Sequence, residues 1–385
     1  MSLFSVINNG HLATPAVPAS PRPIEAGDAR ALVIDRPWHV TGENSADAAA
    51  TVRAGSSGIF VTGSQAHGHA AELRSQHPST PIITEPLALT HYVADEDAPF
   101  GYWSDGGFDT SLSLEAMLDR RRAAGDPIAM TPTGQIRAGD SEALKAVIDA
   151  ANDLDRDDIL VAVPLEANWL SKDPLTDQIV RVLDRSNHPI ALTFIDGNSP
   201  LGSMKRMRAH RRVLATTTAD ILAYRIDLNG LDAIALGAIG AAIGAYPTKR
   251  RLDPANKGGG GPSDREALSP QMLIPDMLRF VRSTEMRRSW FVNADPVLCY
   301  CAVCGGAPLH RLFESNAERA IGHRHNVVGI DQLINMLLVV PRVQRSAVWA
   351  NLITGAADTY PQLSLHLNRP MSPPNDLGVW AEPAI

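Results

Sequence analysis

The sequence predicts an α/β protein, a (β/α)8 TIM-type barrel with a smaller C-terminal subdomain. Two observations predict the barrel. Short runs rich in Ile, Val and Leu recur with few polar residues inside them, as strands buried on both faces do. Helical stretches separate most of these runs over about 240 residues, and roughly eight strands favour a closed barrel over an open doubly wound sheet. A third observation predicts the appendage. All three cysteines of the chain, Cys299, Cys301 and Cys304, lie in one short Cys-x-Cys-x-x-Cys turn. That clustering predicts a zinc-binding subdomain, so residues 1–255 are assigned to the barrel and 256–385 to the zinc segment and the helices that pack on it.

Taken in order, residues 12–20 and 31–35 are strand candidates in a proline-rich beginning. Residues 58–63 (GIFVTG) form a strand and lead into the helical AHGHAAELR, and residues 81–86 (PIITEP) form the next strand. Residues 127–134 precede a helix that Asp140 is placed to cap. Strands follow at 159–166 and 189–196, with a helix between them that Asp173 caps and Pro174 opens. Residues 221–228 and 233–238 complete the series. After Pro247 the chain turns polar, and the four glycines at 258–261 predict an exposed loop. Residues 269–283 read as a helix interrupted at Pro275. Helices at 330–340 and 345–355 and a proline-rich tail follow.

The 385 residues suffice for one large barrel plus an appendage. No stretch approaches the roughly 18 uninterrupted apolar residues of a membrane span. The first ten residues lack the basic region and apolar core of a signal peptide. Clustered cysteines suit metal in a reducing compartment better than disulfides. A cytoplasmic protein without a membrane partner is therefore expected. The net charge of −7 argues against indiscriminate coating of nucleic acid but leaves room for a local basic face.

Three thiolates and one imidazole make a closed tetrahedral zinc site. Histidines follow the cysteines at His310, His323 and His325. Four protein ligands leave no open position for water, so the zinc is expected to be structural. The alternative is three unrelated buried thiols. The segment resembles the zinc-binding stretch of the tRNA-guanine transglycosylases, in which Cys-x-Cys-x-x-Cys is followed by a His-Asn pair opening a helix. The resemblance covers about a tenth of the chain. Here the pair is His325-Asn326, which makes His325 the implied fourth ligand and His323 the reserve. It also implies a barrel with the zinc segment late in the chain.

In a parallel barrel the active site lies at the C-terminal strand ends. Glu85, Glu166, Asp196 and Asp227 all end candidate strands. Paired carboxylates are what an exchange at an N-glycosidic bond needs, one facing the oxocarbenium centre and one moving a proton. Gln135 and Asn168, just past two strands, have donors and acceptors for a base. Arg225 can pair with Asp227 or Glu166, or form an internal salt bridge. The family's Asp-Ser-Gly-Gly-Phe-Gln segment is similar to SDGGFD at 104–109, which makes Asp105 an alternative to Glu85 as acid/base. The family's late Gly-x-Asp-x-Phe-Asp strand compares with GLDAIA at 230–235. Asp232 matches, but the nucleophile position holds Ala235, so Asp227 or Asp196 would have to replace it. The glycine-spaced 237–244 segment fits either a phosphate loop or close packing. His67 and His69 resemble a metal pair without a neighbouring carboxylate.

Basic residues gather at 205–212, at Lys249, Arg250 and Arg251, and at Arg287 and Arg288. The last two groups flank the glycine loop and the zinc segment, where the family holds its tRNA, and phosphate contacts there would supply affinity. The resemblance implies a transferase that exchanges or cleaves a purine or 7-deazapurine base in tRNA, DNA or a nucleoside, and a homodimer is among the expected states. The alternative is a catalytically silent relative that binds nucleic acid or supports an active partner.

Overall fold

The computed structural model describes residues 24–42, 45–53, 55–104, 107–197, 199–255, 269–311 and 315–383. Eight parallel strands form one sheet: β1 (Pro37–Thr41), β2 (Gly58–Val61), β3 (Ile82–Thr84), β4 (Ala129–Met130), β5 (Ile159–Glu166), β6 (Ile190–Ile195), β7 (Ile221–Tyr224) and β8 (Gly240–Gly244). Their spatial order is β3-β2-β1-β8-β7-β6-β5-β4. The first and last strands of the chain therefore pair, with Pro37 opposite Ala241 and Val40 opposite Gly244. The end strands β3 and β4 lie against each other, so the sheet is nearly a closed barrel. Side chains seal that seam. Asp126 accepts from the Thr84 amide at 3.1 Å and the Thr84 hydroxyl at 2.6 Å, and Arg74 and Arg121 pair with the same carboxylate.

Alternation along the strands fills the interior. Trp38, Phe60, Ile83, Met130, Leu160, Leu222 and Tyr224 share one buried cluster inside the sheet. Outward residues such as Ile59, Val61 and Ile82 pack on the helix Ala66–Gln76. Asp140 caps the helix Ser141–Asn152 through the Ala143 amide at 3.1 Å. The helix Asp173–Leu183 carries Pro174 in its first turn, as expected, although Lys172 and not Asp173 holds the cap position.

Several elements differ from expectation, each for a local reason. Residues 12–20 lie outside the described residues. Residues 31–35 are not a strand: Asp28 caps the helix Ala29–Val33, whose Leu32 and Val33 join the barrel interior. The first described strand is instead β1. Residues 233–238 are not the eighth strand, because the chain leaves β7 through left-handed Arg225 (φ 52°) and Asp227 (φ 57°) and winds into the helix Asn229–Ala235. The glycine-spaced segment that follows supplies β8 itself, so it is neither a phosphate loop nor a helix. Residues 271–282 form an antiparallel hairpin, Gln271–Ile274 against Arg279–Arg282, turning through Pro275 and left-handed Leu278 (φ 47°). The two predicted C-terminal helices are longer: Asn316–Leu338, here called the zinc helix after the candidate zinc ligand it carries, and Arg342–His366. The zinc helix packs on β1, on Ser45–Ala49 and on Asn229–Ala235, so it occupies a helix position on the barrel wall. No helix among the described residues is long and apolar enough to cross a membrane.

Candidate metal centre and the barrel mouth

The cysteine turn is built by a two-residue ladder, Leu298–Cys299 against Ala307–Pro308, closed by a compact loop. The Cys304 and Gly305 amides donate to the Cys301 carbonyl at 3.1 and 3.0 Å, and Gly306 donates to that of Cys299 at 2.9 Å. Gly305 (φ 58°) and Gly306 (φ 89°) take left-handed conformations that residues with a Cβ resist. The loop points all three sulfurs one way. Each Sγ lies 3.5 Å from His325 Nδ1, and the four ligand atoms lie within 4.8 Å of one another. A tetrahedral zinc with ordinary Zn–S and Zn–N bonds separates sulfur from nitrogen by about 3.5 Å, so the cluster fits zinc in its donor set and its size.

The surroundings fix the ligands. His325 Nε2 donates to the Leu273 carbonyl at 2.7 Å, which leaves Nδ1 as the ligand atom, the usual second partner of a metal-bound imidazole. The crowding pushes the thiols apart in acidity: hydrogen bonds from Cys299 and Cys304 hold Cys301 below the usual thiol range, while Cys299 and Cys301 push Cys304 above it, so the three sulfurs need a cation among them to ionise together. His323 turns away and its ring lies 4.7 Å from that of Tyr246, while His310 packs on Phe291, so neither joins the cluster. Among the described residues this is the one group of three or more metal-ligating side chains, and His67 and His69 are not part of such a group.

The zinc helix ties this centre to the barrel. A capping box of Ser315 and Glu318 opens it. Fully buried Asn326 accepts from the Leu273 amide and donates to the Ala245 and Gln271 carbonyls, each at 2.7 Å. One and a half turns on, buried Asp331 accepts from Ser57 Oγ at 2.5 Å and Asn335 Nδ2 at 2.9 Å, with His39 and Arg53 at 3.4 and 3.5 Å. Burial pulls its pKa up, but these donors outweigh it and hold the carboxyl below its usual range. His325, Asn326 and Asp331 thus join the cysteine turn, the hairpin, β8 and β1 through one rigid element.

The barrel mouth uses its polar residues differently. Glu85 is buried, accepting from Arg225 Nη1 at 2.8 and 2.9 Å and from the Tyr224 hydroxyl at 2.5 Å. Arg225 therefore pairs with Glu85, not with Asp227 or Glu166. Its remaining donors reach the carbonyls of Thr248 (2.7 Å), Lys249 (3.2 Å) and Arg251 (2.6 Å). Gln135 donates to the Leu89 and Asp253 carbonyls, both at 2.9 Å, and accepts from the Ala255 amide at 2.8 Å. The Asp227 amide donates to the Arg250 carbonyl at 3.1 Å. Between these ties Leu252 bridges Ile195 and joins the barrel-interior cluster, fully buried. Residues 248–255 therefore lie across the mouth as a plug. A Cβ on Gly244 would come 2.3 Å from the Lys249 carbonyl carbon, so the plug's approach to β8 explains that glycine.

The other predicted residues spread around the rim. Glu166 accepts from the Ala138 amide at 2.9 Å. Asp196 pairs with Arg206, which also donates to Asn168 Oδ1 at 2.8 Å. Asp227 keeps a half-exposed carboxylate 3.6 Å from Arg250. Asp105 lies outside the described residues. A recess of about 220 Å3 at this end is lined by Thr62, Ser64, His69, Tyr246 and Lys249, among others, and holds none of the strand-end acids. Arg250 is not part of an outer basic face: it is buried over the Phe280 ring at 3.6 Å and donates to Gln271. Lys249 and Arg251 are partly buried, and Arg287 and Arg288 are exposed on the single-turn π-helix Met286–Trp290. In the 205–212 run, Arg208 pairs with Glu382 and Arg212 with Asp173 and Asp177, a tied helix face.

Tyr224, Leu252 and Asp331 were not singled out by sequence. Tyr224 is an ordinary residue of an apolar run and Leu252 a lone leucine in a polar stretch until the plug is seen, and Asp331 sits in an apolar helical stretch where a lone acid was the available signal. No family model matches this chain, and no curated protein matches it.

Proposed function

We propose that this protein is a zinc-stabilised barrel of the transglycosylase-like type that does not itself exchange bases, and that it binds nucleic acid or supports an active partner. The observation that carries this reading is the fate of Glu85. The acid best placed for proton transfer is bound by Arg225 and Tyr224 beneath a plug made of the chain's own residues 248–255. A general acid or base must reach the proton it moves, and Glu85 is directed at Arg225 instead. β8 (Gly240–Gly244) contributes no carboxylate to the mouth. The support for the family type is the Cys3His cluster, the Asn that follows its histidine, and the barrel. The test is exchange of labelled guanine or 7-deazaguanine into tRNA, DNA and nucleosides by zinc-replete protein. No incorporation is expected, while tRNA or DNA binding through Arg287 and Arg288 should weaken as salt rises.

One observation favours the active transglycosylase. Asp227, three residues past β7, has a half-exposed carboxylate and, like Arg225, a left-handed backbone; such backbone strain gathers at functional sites. On that reading Asp227 faces the anomeric carbon, and Asp227→Asn abolishes an exchange that the wild-type protein performs.

A further inference from the structure

Asp276 lies in the turn Pro275–Met277 of the hairpin that also contacts the zinc helix. It faces a cavity of about 570 Å3 between the zinc helix and the helix Arg342–His366. Leu333, Met336, Val348 and Leu352 form apolar walls, and Gln332 and Asn351 add two amide side chains. A cavity of this size with few polar groups is what small-molecule sites are made of. A second recess of about 240 Å3 shares Pro275, Asp276 and Gln332 and extends to Cys299 and His325, so the space continues toward the metal centre.

The carboxylate in this cavity has no partner. Among the described residues no hydrogen bond or ion pair reaches Asp276, and burial is the one influence on it, pushing its pKa up to about 6. Arg279, three residues on, is engaged with Tyr360. Asp276 is half-buried on the cavity wall, whereas the fully buried acids among the described residues all have donors: Glu85 has Arg225 and Tyr224, Asp126 has Arg74 and Arg121, Asp158 has Arg122 and Arg156, Asp232 has Trp349 and Arg211, and Asp331 has Ser57 and Asn335. Acids withdrawn from water are ordinarily paired because the unpaired state is costly.

We propose that this cavity binds a small organic cation, an ammonium or guanidinium on an apolar stem, with Asp276 as its counter-ion. The stem lies along Leu333, Met336 and Leu352, and Gln332 and Asn351 supply acceptors for the remaining N–H groups. The site is separate from the barrel mouth and does not depend on whether the barrel exchanges bases.

The probes are phenethylammonium and its anionic analogue of similar shape, phenylacetate, titrated by calorimetry into full-length zinc-loaded protein. The ammonium should bind saturably and the carboxylate should not. Asp276→Asn should weaken ammonium binding at least tenfold with zinc content unchanged. Its melting temperature should equal or exceed that of the wild type, since an uncompensated charge is gone. Equal binding of both probes, indifference to Asp276→Asn, or no binding of the ammonium at millimolar concentration overturns the proposal. A lower melting temperature for Asp276→Asn does so too, because it reveals a protein partner for the carboxylate.

Discussion

At the zinc end, four side chains from two segments converge within 4.8 Å of one another. At the barrel mouth, four acids stand at the ends of parallel strands and each meets a different partner: Glu85 an arginine and a tyrosine, Glu166 a backbone amide, Asp196 Arg206, Asp227 Arg250. Both regions are rich in the residue types that do chemistry. The first is arranged around one point, as metal binding demands. In the second, Glu85 through Arg225 and Asp227 through Arg250 tie to a segment of the chain that closes the mouth, while Glu166 and Asp196 are engaged separately on the rim. Residue type proposes a function, and convergence or its absence decides between readings.

The largest effect should come from breaking the point of convergence. Structural zinc contributes on the order of 10 kcal/mol to the folding of small sites. Cys301→Ser should lose the metal and lower the melting temperature sharply, with one zinc per chain in the wild type by elemental analysis. A variant that keeps its zinc and its melting temperature would remove the metal from the account.

Next comes the tie at the mouth. Arg225→Ala leaves Glu85 buried without its cation and frees three carbonyls of the plug, which should cost about 3–5 kcal/mol in denaturant unfolding. Glu85→Gln together with Arg225→Met should recover much of that loss, because the buried charge goes with its partner. If Arg225→Ala is near neutral, the mouth is not held as described.

Asn326→Ala probes the link between the two regions. It strands one buried amide and two carbonyls that now share its side chain. A loss of about 3 kcal/mol is expected, with zinc still bound at one per chain.

His210 supplies a comparison from outside both regions. It is buried against Phe194, and burial, aided by Arg211, lowers its pKa to about 3. The folded state thus refuses a proton that the unfolded chain takes up below its ordinary value near 6.5. Its contribution to stability is complete above that value and is lost as pH falls toward 3. Between pH 7 and pH 5 this histidine alone should cost about 2 kcal/mol, and His210→Leu should flatten the acid limb by that amount.

How far the sequence could be read follows from these contacts. Strands buried on both faces announce themselves as unbroken apolar runs, which is why β2, β3, β5, β6 and β7 were legible. Residues 233–244 mislead because short stretches of Ala, Ile and Gly suit helix and strand alike. The hairpin at 271–282 reads as a helix in the sequence because nothing local marks Leu278 as left-handed. The metal ligands were legible because cysteine is rare in this chain and confined to one turn. Glu85 and Arg225 were noticed separately, but they are 140 residues apart, and no local pattern joins them. The plug was invisible for the same reason: its ties run from Gln135 and Arg225 to a stretch that reads as a polar loop.

The most direct test of the closed mouth is hydrogen exchange at the amides of residues 248–255. The Ala255 amide, held by Gln135, and the Lys249 and Arg250 amides, held by Tyr246 and Pro247, should exchange as slowly as amides of the barrel strands in zinc-loaded protein. Arg225→Ala should release them. Rapid exchange of this segment in the wild-type protein would mean that the mouth is open, and the strand-end acids would again be free to act on a substrate.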